Sequence, residues 1–142
     1  MIVAIDGPAG TGKSTIAKMV AEKLKFTYVN SGNLYRALTY GIQEAGVDPQ
    51  SEEAVLAWAR GAELDYRDGR VYLEGTDVEG FLHTDAVDGW VAQVSAIVPL
   101  RHLVNDVVRG ISRRMDVVVE GRDMTTAVFP DAQYKFYLDA TP

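Results

Sequence analysis

The stretch Gly7-Pro8-Ala9-Gly10-Thr11-Gly12-Lys13-Ser14 decides how this chain is organised. It follows the apolar run Ile2-Val3-Ala4-Ile5 and leads, through Thr15, into the helix-forming residues 16–24. That order predicts a strand, a glycine-rich loop and a helix. The glycines and the Lys-Ser pair have the spacing G-x-x-x-x-G-K-[ST].

This spacing is the phosphate-binding P-loop pattern. Glycines at 7, 10 and 12 allow backbone angles that other residues resist, so successive N–H groups can point at anionic oxygens. The helix that opens near Lys13 adds its free N–H groups and its positive dipole end. Lys13 supplies a charge for the β- and γ-phosphates of a nucleotide, and the Ser14 hydroxyl is placed to ligate Mg²⁺. A glycine-rich turn before an ordinary helix is the less specific interpretation.

The composition is that of a globular protein with a core. The chain has 142 residues, of which 47% are hydrophobic and 24% charged. No apolar run approaches the ~20 residues of a membrane span, and the strand after Met1 leaves no room for a signal peptide. The lack of cysteine fits a reducing cytoplasm, and the net charge of −6 argues against binding to nucleic acid or anionic lipid. We expect a cytoplasmic monomer whose partners are small molecules.

Three later segments predict further core strands, at residues 27–30, 116–120 and 134–138. The run 117–119 is entirely valine, as expected at the centre of a parallel sheet. Gly121-Arg122-Asp123 follows it, at the carboxyl edge where open α/β sheets bind their ligands. The sequence therefore predicts an α/β fold: an incomplete, P-loop NTPase-type parallel sheet of about four strands flanked by helices.

The middle of the chain has a different pattern. A helix over 34–44 is expected to bury Leu34, Leu38 and Ile42, and a second helix to begin at Asp48-Pro49 and run to about Arg60. Residues 62–66 and 70–74 alternate with period two around a turn at 67–69, which predicts an antiparallel hairpin, and 76–78 suggest a third short strand. We interpret 37–85 as an insert for a nucleoside monophosphate, mounted on a core of 1–36 and 86–142.

Helices are also expected in the second half of the chain. Thr84 is a candidate N-cap for a helix that runs through Val98 and has Val87, Val91, Val94 and Val98 on its inner face. Pro99 would end that helix and begin another, which runs to about Met115.

The chain resembles bacterial cytidylate kinase along all 142 residues. The most specific stretches are 5–15 with the P-loop, Ser31-Gly32-Asn33-Leu34-Tyr35-Arg36, and Glu120-Gly121-Arg122-Asp123 with Val128-Phe129-Pro130-Asp131-Ala132. The antiparallel insert is typical of bacterial members. The resemblance implies transfer of a phosphoryl group from ATP to CMP or dCMP, with Mg²⁺ as cofactor.

The resemblance also implies roles for individual residues. Lys13 and Arg122 would be catalytic, and Ser14 would hold Mg²⁺. ATP would be bound by Gly7, Pro8, Ala9, Gly10, Thr11, Gly12, Lys13, Ser14 and Thr15. CMP would be bound by Ser31, Tyr35, Arg36, Arg101, Arg122 and Asp123. An arginine fork pairs bidentately with phosphate oxygens, which suits Arg36 and Arg122.

Several positions depart from the family pattern. Asn30 stands where the family commonly has Asp, Ala92 where a serine helps to read cytosine, and Thr125 where glycine is usual. Compared with the family, the chain also ends before the arginine-rich lid and the last strand of the sheet. We therefore expect weak or no kinase activity from this chain alone. We also expect the strand at 134–138 to be an exposed sheet edge.

Two other functions stay open. Another P-loop small-molecule kinase, of the shikimate, gluconate or adenylate type, shares the loop and an arginine after the second strand. A non-catalytic phosphate- or nucleotide-binding module would need only the loop. The antiparallel insert argues against the first, and ATP turnover with and without CMP separates the second from an enzyme.

Overall fold

The computed structural model describes residues 1–8, 12–121 and 124–138. The chain divides into two compact units, residues 1–31 with 108–142 and residues 32–107. The second unit thus includes 86–107 as well as the predicted insert. Because compactness does not assign a role, the predicted domains, 1–36 with 86–142 and 37–85, stay a prediction.

Seven strands and six α-helices are present in the described residues. The strands are β1 (Ile2–Asp6), β2 (Thr27–Asn30), β3 (Leu64–Arg67), β4 (Arg70–Leu73), β5 (Thr76–Asp77), β6 (Val117–Gly121) and β7 (Tyr134–Tyr137). The helices are α1 (Lys13–Leu24), α2 (Ser31–Glu44), α3 (Glu52–Gly61), α4 (Asp85–Asp88), α5 (Val91–Ser95) and α6 (Val98–Arg114). A 3-10 turn covers Glu79–Phe81 and a π-helical segment covers Met124–Val128. No helix among these residues is long and apolar enough to cross a membrane.

The first unit contains a four-stranded sheet in the order β2-β6-β1-β7, and its strand pairs are parallel. The predicted parallel α/β sheet is therefore confirmed. The two inner strands are buried along nearly their whole length, because Val117, Val118 and Val119 are at most 1% exposed and Val3 to Ile5 at most 2%. Ala17 and Ala21 of α1 pack on this layer, and their small side chains let the helix lie close to the sheet.

Strand β7 forms one edge of this sheet, as predicted. All four of its residues are exposed, including the aromatic side chains of Tyr134, Phe136 and Tyr137. Directly after β7, the Leu138 N–H donates a hydrogen bond to the Asp6 carbonyl of β1 at 2.8 Å.

Helix α2 supplies much of the core of the second unit. Leu34, Leu38 and Ile42 are fully buried, as their four-residue spacing predicts. The helix ends at Glu44; Gly46, two residues later, has a left-handed φ of +69°, and the Val47 N–H donates to the Ile42 carbonyl at 3.0 Å. A glycine is favoured there because a Cβ opposes that backbone conformation.

The predicted hairpin is present as β3 and β4, and β5 adds the short third strand. Asp68 and Gly69 form its turn with φ values of +52° and +75°, the positive pair that a two-residue hairpin loop needs. One face of the hairpin is buried through Tyr66, Val71 and Leu73.

Two helix starts were predicted wrongly: α2 begins at Ser31 and not at about Leu34, whereas α3 begins later than predicted. Helix α3 begins at Glu52 instead of Pro49, because the Ser51 side chain accepts from the Ala54 N–H at 3.2 Å and fixes the helix start there.

The helix predicted over 84–98 is instead two short helices, α4 and α5. Thr84 does cap α4, but the chain leaves the helix at Gly89 and Trp90. The interruption changes which residues face inward, since Val98 is 56% exposed and Ile97 is buried in its place.

Candidate functional site

The glycine-rich loop joins β1 to α1, and the structure describes Gly7, Pro8 and Gly12 of it. Ala9, Gly10 and Thr11 lie outside the described residues. A Cβ on Gly7 would lie 2.4 Å from the Leu138 carbonyl oxygen, so no other residue fits. Gly12 has a left-handed φ of +81° and immediately precedes α1, whose start no described side chain caps. The first N–H groups of α1 thus have no side-chain cap in the described part of the chain, and their binding of an anion stays a prediction.

Lys13 forms hydrogen bonds with two segments of the site, the loop at Gly7 and the end of β6 at Gly121. Its Nζ donates to the Gly7 carbonyl at 2.7 Å and lies 3.3 Å from the Gly121 carbonyl. These contacts hold a half-buried ammonium between the loop and the end of β6, the place where the sequence predicts phosphate binding. Thr15, also predicted to bind ATP, is exposed in the first turn of α1.

Ser14, Glu120 and Asn30 form a hydrogen-bonded cluster. The Ser14 hydroxyl donates to Glu120 Oε1 at 2.7 Å, and the Asn30 amide donates to the same oxygen at 2.9 Å. Glu120 is 3% exposed, and its Oε2 has no hydrogen-bond partner among the described residues. Because an unpaired buried carboxylate oxygen is costly, this atom marks a place for a cation or a donor.

The oxygen atoms of this cluster suit Mg²⁺. Magnesium prefers hydroxyl, carboxylate and water ligands, and Ser14 with Glu120 offers the first two. No group of three or more His, Asp or Glu side chains gathers anywhere in the described ranges. A Mg²⁺ held here would thus complete its ligands from phosphate oxygens and water, as is usual for this ion.

Tyr28 borders the cluster. Its hydroxyl accepts from the Asn30 amide at 3.2 Å. Burial, followed by the negative charge of Glu120, raises the pKa of the Tyr28 phenol above its ordinary value of 10.0. The phenol therefore stays neutral at physiological pH and adds no second negative charge beside Glu120.

Asp6 connects the end of β1 to the segment after Gly121-Arg122-Asp123. Its carboxylate accepts from the Met124 N–H at 2.7 Å, the Thr125 N–H at 2.8 Å and the Thr125 hydroxyl at 2.6 Å. Asp6 is 5% exposed, so these bonds satisfy an otherwise buried charge. Thr125, noted above as a departure from the family glycine, contributes one of the three bonds through its side chain.

Ser31 lies beside the end of β6. It is 6% exposed, and a Cβ on Gly121 would lie 2.3 Å from its hydroxyl oxygen. Gly121 thus leaves room for this predicted CMP ligand. Arg122 and Asp123, the next two predicted ligands, lie outside the described residues.

The remaining predicted CMP ligands belong to the second unit. Arg36 donates from Nη1 to the Leu82 carbonyl at 3.0 Å and to Asp88 Oδ1 at 2.5 Å. The Tyr35 carbonyl accepts from the Thr39 hydroxyl at 2.8 Å. Arg101 is exposed in the first turns of α6.

Asp6 and Glu120 are site residues that were not predicted from the sequence. The sequence did contain a signal for both residues. Each is an acidic residue at the carboxyl end of an apolar strand, a position that is buried and not open to solvent. A buried acid in that place requires a partner, which Met124 and Thr125 supply to Asp6 and which Ser14 of the P-loop supplies to Glu120.

The family model described as cytidylate kinase matches residues 3–142. The chain belongs to the cytidylate kinase family. The family predicted from the sequence is thereby confirmed, together with the P-loop α/β fold class.

Individual relatives in the cytidylate kinase family agree. The chain is 42% identical to the cytidylate kinase of Clostridioides difficile (strain 630) over 100% of its own length and 66% of the relative's. It is 43% identical to the cytidylate kinase of a Thermus thermophilus strain over 99% of its own length and 69% of the relative's. A bifunctional pantoate ligase/cytidylate kinase of Synechococcus sp. (strain WH7803) is 42% identical over 99% of this chain. The chain thus spans about two thirds of the length of the cytidylate kinases it matches.

Proposed function

We propose that this chain binds ATP and CMP or dCMP and provides both nucleotide sites of a kinase that makes CDP or dCDP. The contacts of Lys13 support this most directly. The Lys13 ammonium lies between the Gly7 and Gly121 carbonyls, next to a glycine-rich loop whose sequence is typical of phosphate binding. The choice of CMP as the acceptor rests on the chain's membership of the cytidylate kinase family.

On the donor side, Lys13 and the first N–H groups of α1 would receive the β- and γ-phosphates. Lys13 exchanges its carbonyl contacts for phosphate oxygens at little cost, because those contacts involve neutral acceptors. This placement lets Lys13 stabilise the negative charge that spreads over the transferring group.

Ser14 and Glu120 are the residues that would hold Mg²⁺. When bound, the ion supplies charge neutralisation between the β- and γ-phosphates. The Asn30 amide donates to the Glu120 carboxylate and to the Tyr28 hydroxyl, which holds Oε1 of Glu120 in place and leaves its second oxygen without a partner among the described residues.

On the acceptor side, Arg36 and Arg122 would grip the CMP phosphate, assisted by Ser31 and Tyr35. Asp123 would accept from the cytosine amino group, and Arg101 would contact the ring. A phosphate oxygen of CMP attacks the γ-phosphorus in line while the bond from that phosphorus to the β–γ bridging oxygen breaks and ADP leaves, so no covalent enzyme intermediate is required. Positioning and charge neutralisation carry the catalysis.

The test is CMP-dependent formation of ADP from ATP, measured for this chain with CMP, UMP, AMP and shikimate. We expect CMP to be the preferred acceptor. Preference for shikimate or AMP would favour another P-loop kinase. ATP binding with no binding of CMP would favour a nucleotide-binding module, because weak or no turnover is expected of this chain alone in either case.

Two substitutions refine the test. In a protein that also carries the arginine-rich lid of the family, Lys13→Ala should reduce turnover by orders of magnitude, since it removes a charge used in the transition state. Arg36→Ala should raise the KM for CMP far more than the KM for ATP. Equal effects on both substrates would contradict the acceptor role of Arg36.

We also propose that the chain is a monomer that does not bind nucleic acid, given its net charge of −6. Size-exclusion chromatography with light scattering tests the first part. A mobility shift with a short DNA duplex tests the second.

A further inference from the structure

Toward the described residues, Arg36 donates hydrogen bonds from one of its three nitrogens. Nη1 donates to the Leu82 carbonyl and to Asp88 Oδ1, at 3.0 and 2.5 Å. Among the described residues, none accepts from Nε or Nη2. A guanidinium bound in this way presents one complete edge, with two parallel N–H donors, to another ligand.

The partners of Arg36 are themselves fixed to the helix that carries it. Leu82 is fully buried, so its carbonyl cannot move freely. Phe81 stacks on Tyr40 with ring centroids 4.9 Å apart and an angle of 12° between the rings. Tyr40 lies one turn along α2 from Arg36.

The turn that bears Asp88 is attached to the same helix. Gln43 of α2 donates to the Ala86 carbonyl at 2.8 Å, and Val87 is fully buried. The Thr84 hydroxyl caps the turn by accepting from the Val87 N–H at 3.3 Å. Asp88 is therefore held at a set distance from Arg36 and does not meet it by chance on a flexible surface.

We propose that Asp88 is a positioning residue for the acceptor phosphate: it holds Nη1 of Arg36 and leaves Nε and Nη2 as the two phosphate donors. This inference rests on the proposed role of Arg36 in binding CMP. A free arginine loses rotamer freedom when it binds a ligand, and here the ion pair has already removed that freedom.

Asp88 could instead compete with the phosphate for Arg36 and so weaken binding. The observations favour positioning over competition. The Asp88 side chain is 51% exposed, so solvent screens its charge from a ligand. Its hydrogen bond to Arg36 is direct and is not weakened to the same degree. Competition would also require the phosphate to take Nη1, whereas the free edge already offers a bidentate site.

The experiment compares the affinity of CMP and of cytidine for the chain by isothermal titration. Asp88→Asn should weaken CMP binding about tenfold, the order expected when a long side chain must be ordered on binding, and leave cytidine binding unchanged. Asp88→Glu should restore part of the affinity. Asp85→Asn is the matched control, because it removes the same charge from the same turn and should leave both ligands unchanged.

A double substitution shows whether the effect passes through Arg36. In an Arg36→Ala background, Asp88→Asn should have no further effect on CMP, because the residue that it positions is gone. CMP binding by Asp88→Asn at or above the wild-type affinity would overturn the inference, and tighter binding would establish competition.

Failure of the proposed function has a different signature. If the wild type binds no CMP, or if Arg36→Ala binds it normally, the acceptor role of Arg36 is wrong and the inference falls with it. If Arg36→Ala weakens CMP binding and Asp88→Asn does not, only the role of Asp88 is wrong.

Discussion

Ser14 and Glu120 are joined by a 2.7 Å hydrogen bond although 106 residues separate them in the chain. The bond brings the first turn of α1 to the end of β6. It uses Oε1 of the carboxylate and leaves Oε2 buried and unpaired among the described residues. A hydroxyl and a carboxylate are thereby placed together at the point where the nucleotide phosphates are expected.

Glu120→Gln should weaken binding of ATP in the presence of Mg²⁺ by about 10- to 100-fold, the usual cost of losing a residue that orients or binds a metal. ATP binding without Mg²⁺ should change little, because the glutamine keeps the size of the side chain. Titration of ATP with and without the ion measures both. Glu22→Gln, an exposed change on α1, is the charge-matched control; equal losses with and without Mg²⁺ would refute a metal-linked role.

Asp6→Asn should reduce the free energy of unfolding by about 2–4 kcal/mol, since an amide NH₂ would face donors that now bind a carboxylate. Thr125→Val removes one of the three bonds and should cost about 1–2 kcal/mol. Urea denaturation measures each value. Thr126→Val, at an exposed position of the same segment, should stay within about 0.5 kcal/mol of wild type, and a comparable loss there would show that the effect is not specific to Asp6.

Gly41 and Gly110 should respond to alanine in opposite directions. A Cβ at Gly41 would lie 2.4 Å from Trp58 Cη2 and 2.7 Å from Leu73 Cδ2, so Gly41→Ala should destabilise the protein by about 1–3 kcal/mol. A Cβ at Gly110 meets nothing within 4 Å, and Gly110→Ala should stabilise helix α6 by about 0.5–1 kcal/mol. Thermal unfolding of the two variants gives the comparison, and a stabilised Gly41→Ala would contradict the packing.

Tyr28 should make the protein less stable at alkaline pH. Its folded-state pKa is raised above the ordinary 10.0, so between those two values the unfolded chain loses a proton that the folded chain keeps. Stability therefore falls as pH rises above about 10, by at most ~1.4 kcal/mol per pH unit from this group, and is unaffected below that value. Tyr28→Phe removes this part of the decline. Urea denaturation of both proteins at pH about 8 and about 11 checks it, and parallel losses would refute the assignment.

The sequence predicted those parts of the fold that local patterns encode. The valines at 117–119, the hairpin turn at Asp68-Gly69 and the face of α2 marked by Leu34 were all found where expected. Each depends on periodicity or on a backbone conformation that one residue type favours. The P-loop was predicted for the same reason, because its glycines and lysine form a single continuous motif.

The remaining features depend on contacts between distant segments. No local pattern states that β1 lies between β6 and β7, or that Asp6 receives the start of the π-helical segment. The helix predicted over 84–98 fits its apolar period, yet Gly89 ends its first turns and Ile97 takes the buried position. The partners of Arg36 and Glu120 were missed for the same reason: they come from segments far away in the sequence.

The strand order also bears on how the protein is made. Strand β1 leaves the ribosome before the other described strands, but its two neighbours, β6 and β7, begin only at Val117 and Tyr134. The unit of 32–107 is continuous in sequence, so all of its residues have been synthesised before β6 begins. The apolar run Ile2–Ile5, in contrast, has no strand to pair with until β6 and β7 have been made, and an unpaired apolar strand of this kind is prone to aggregation.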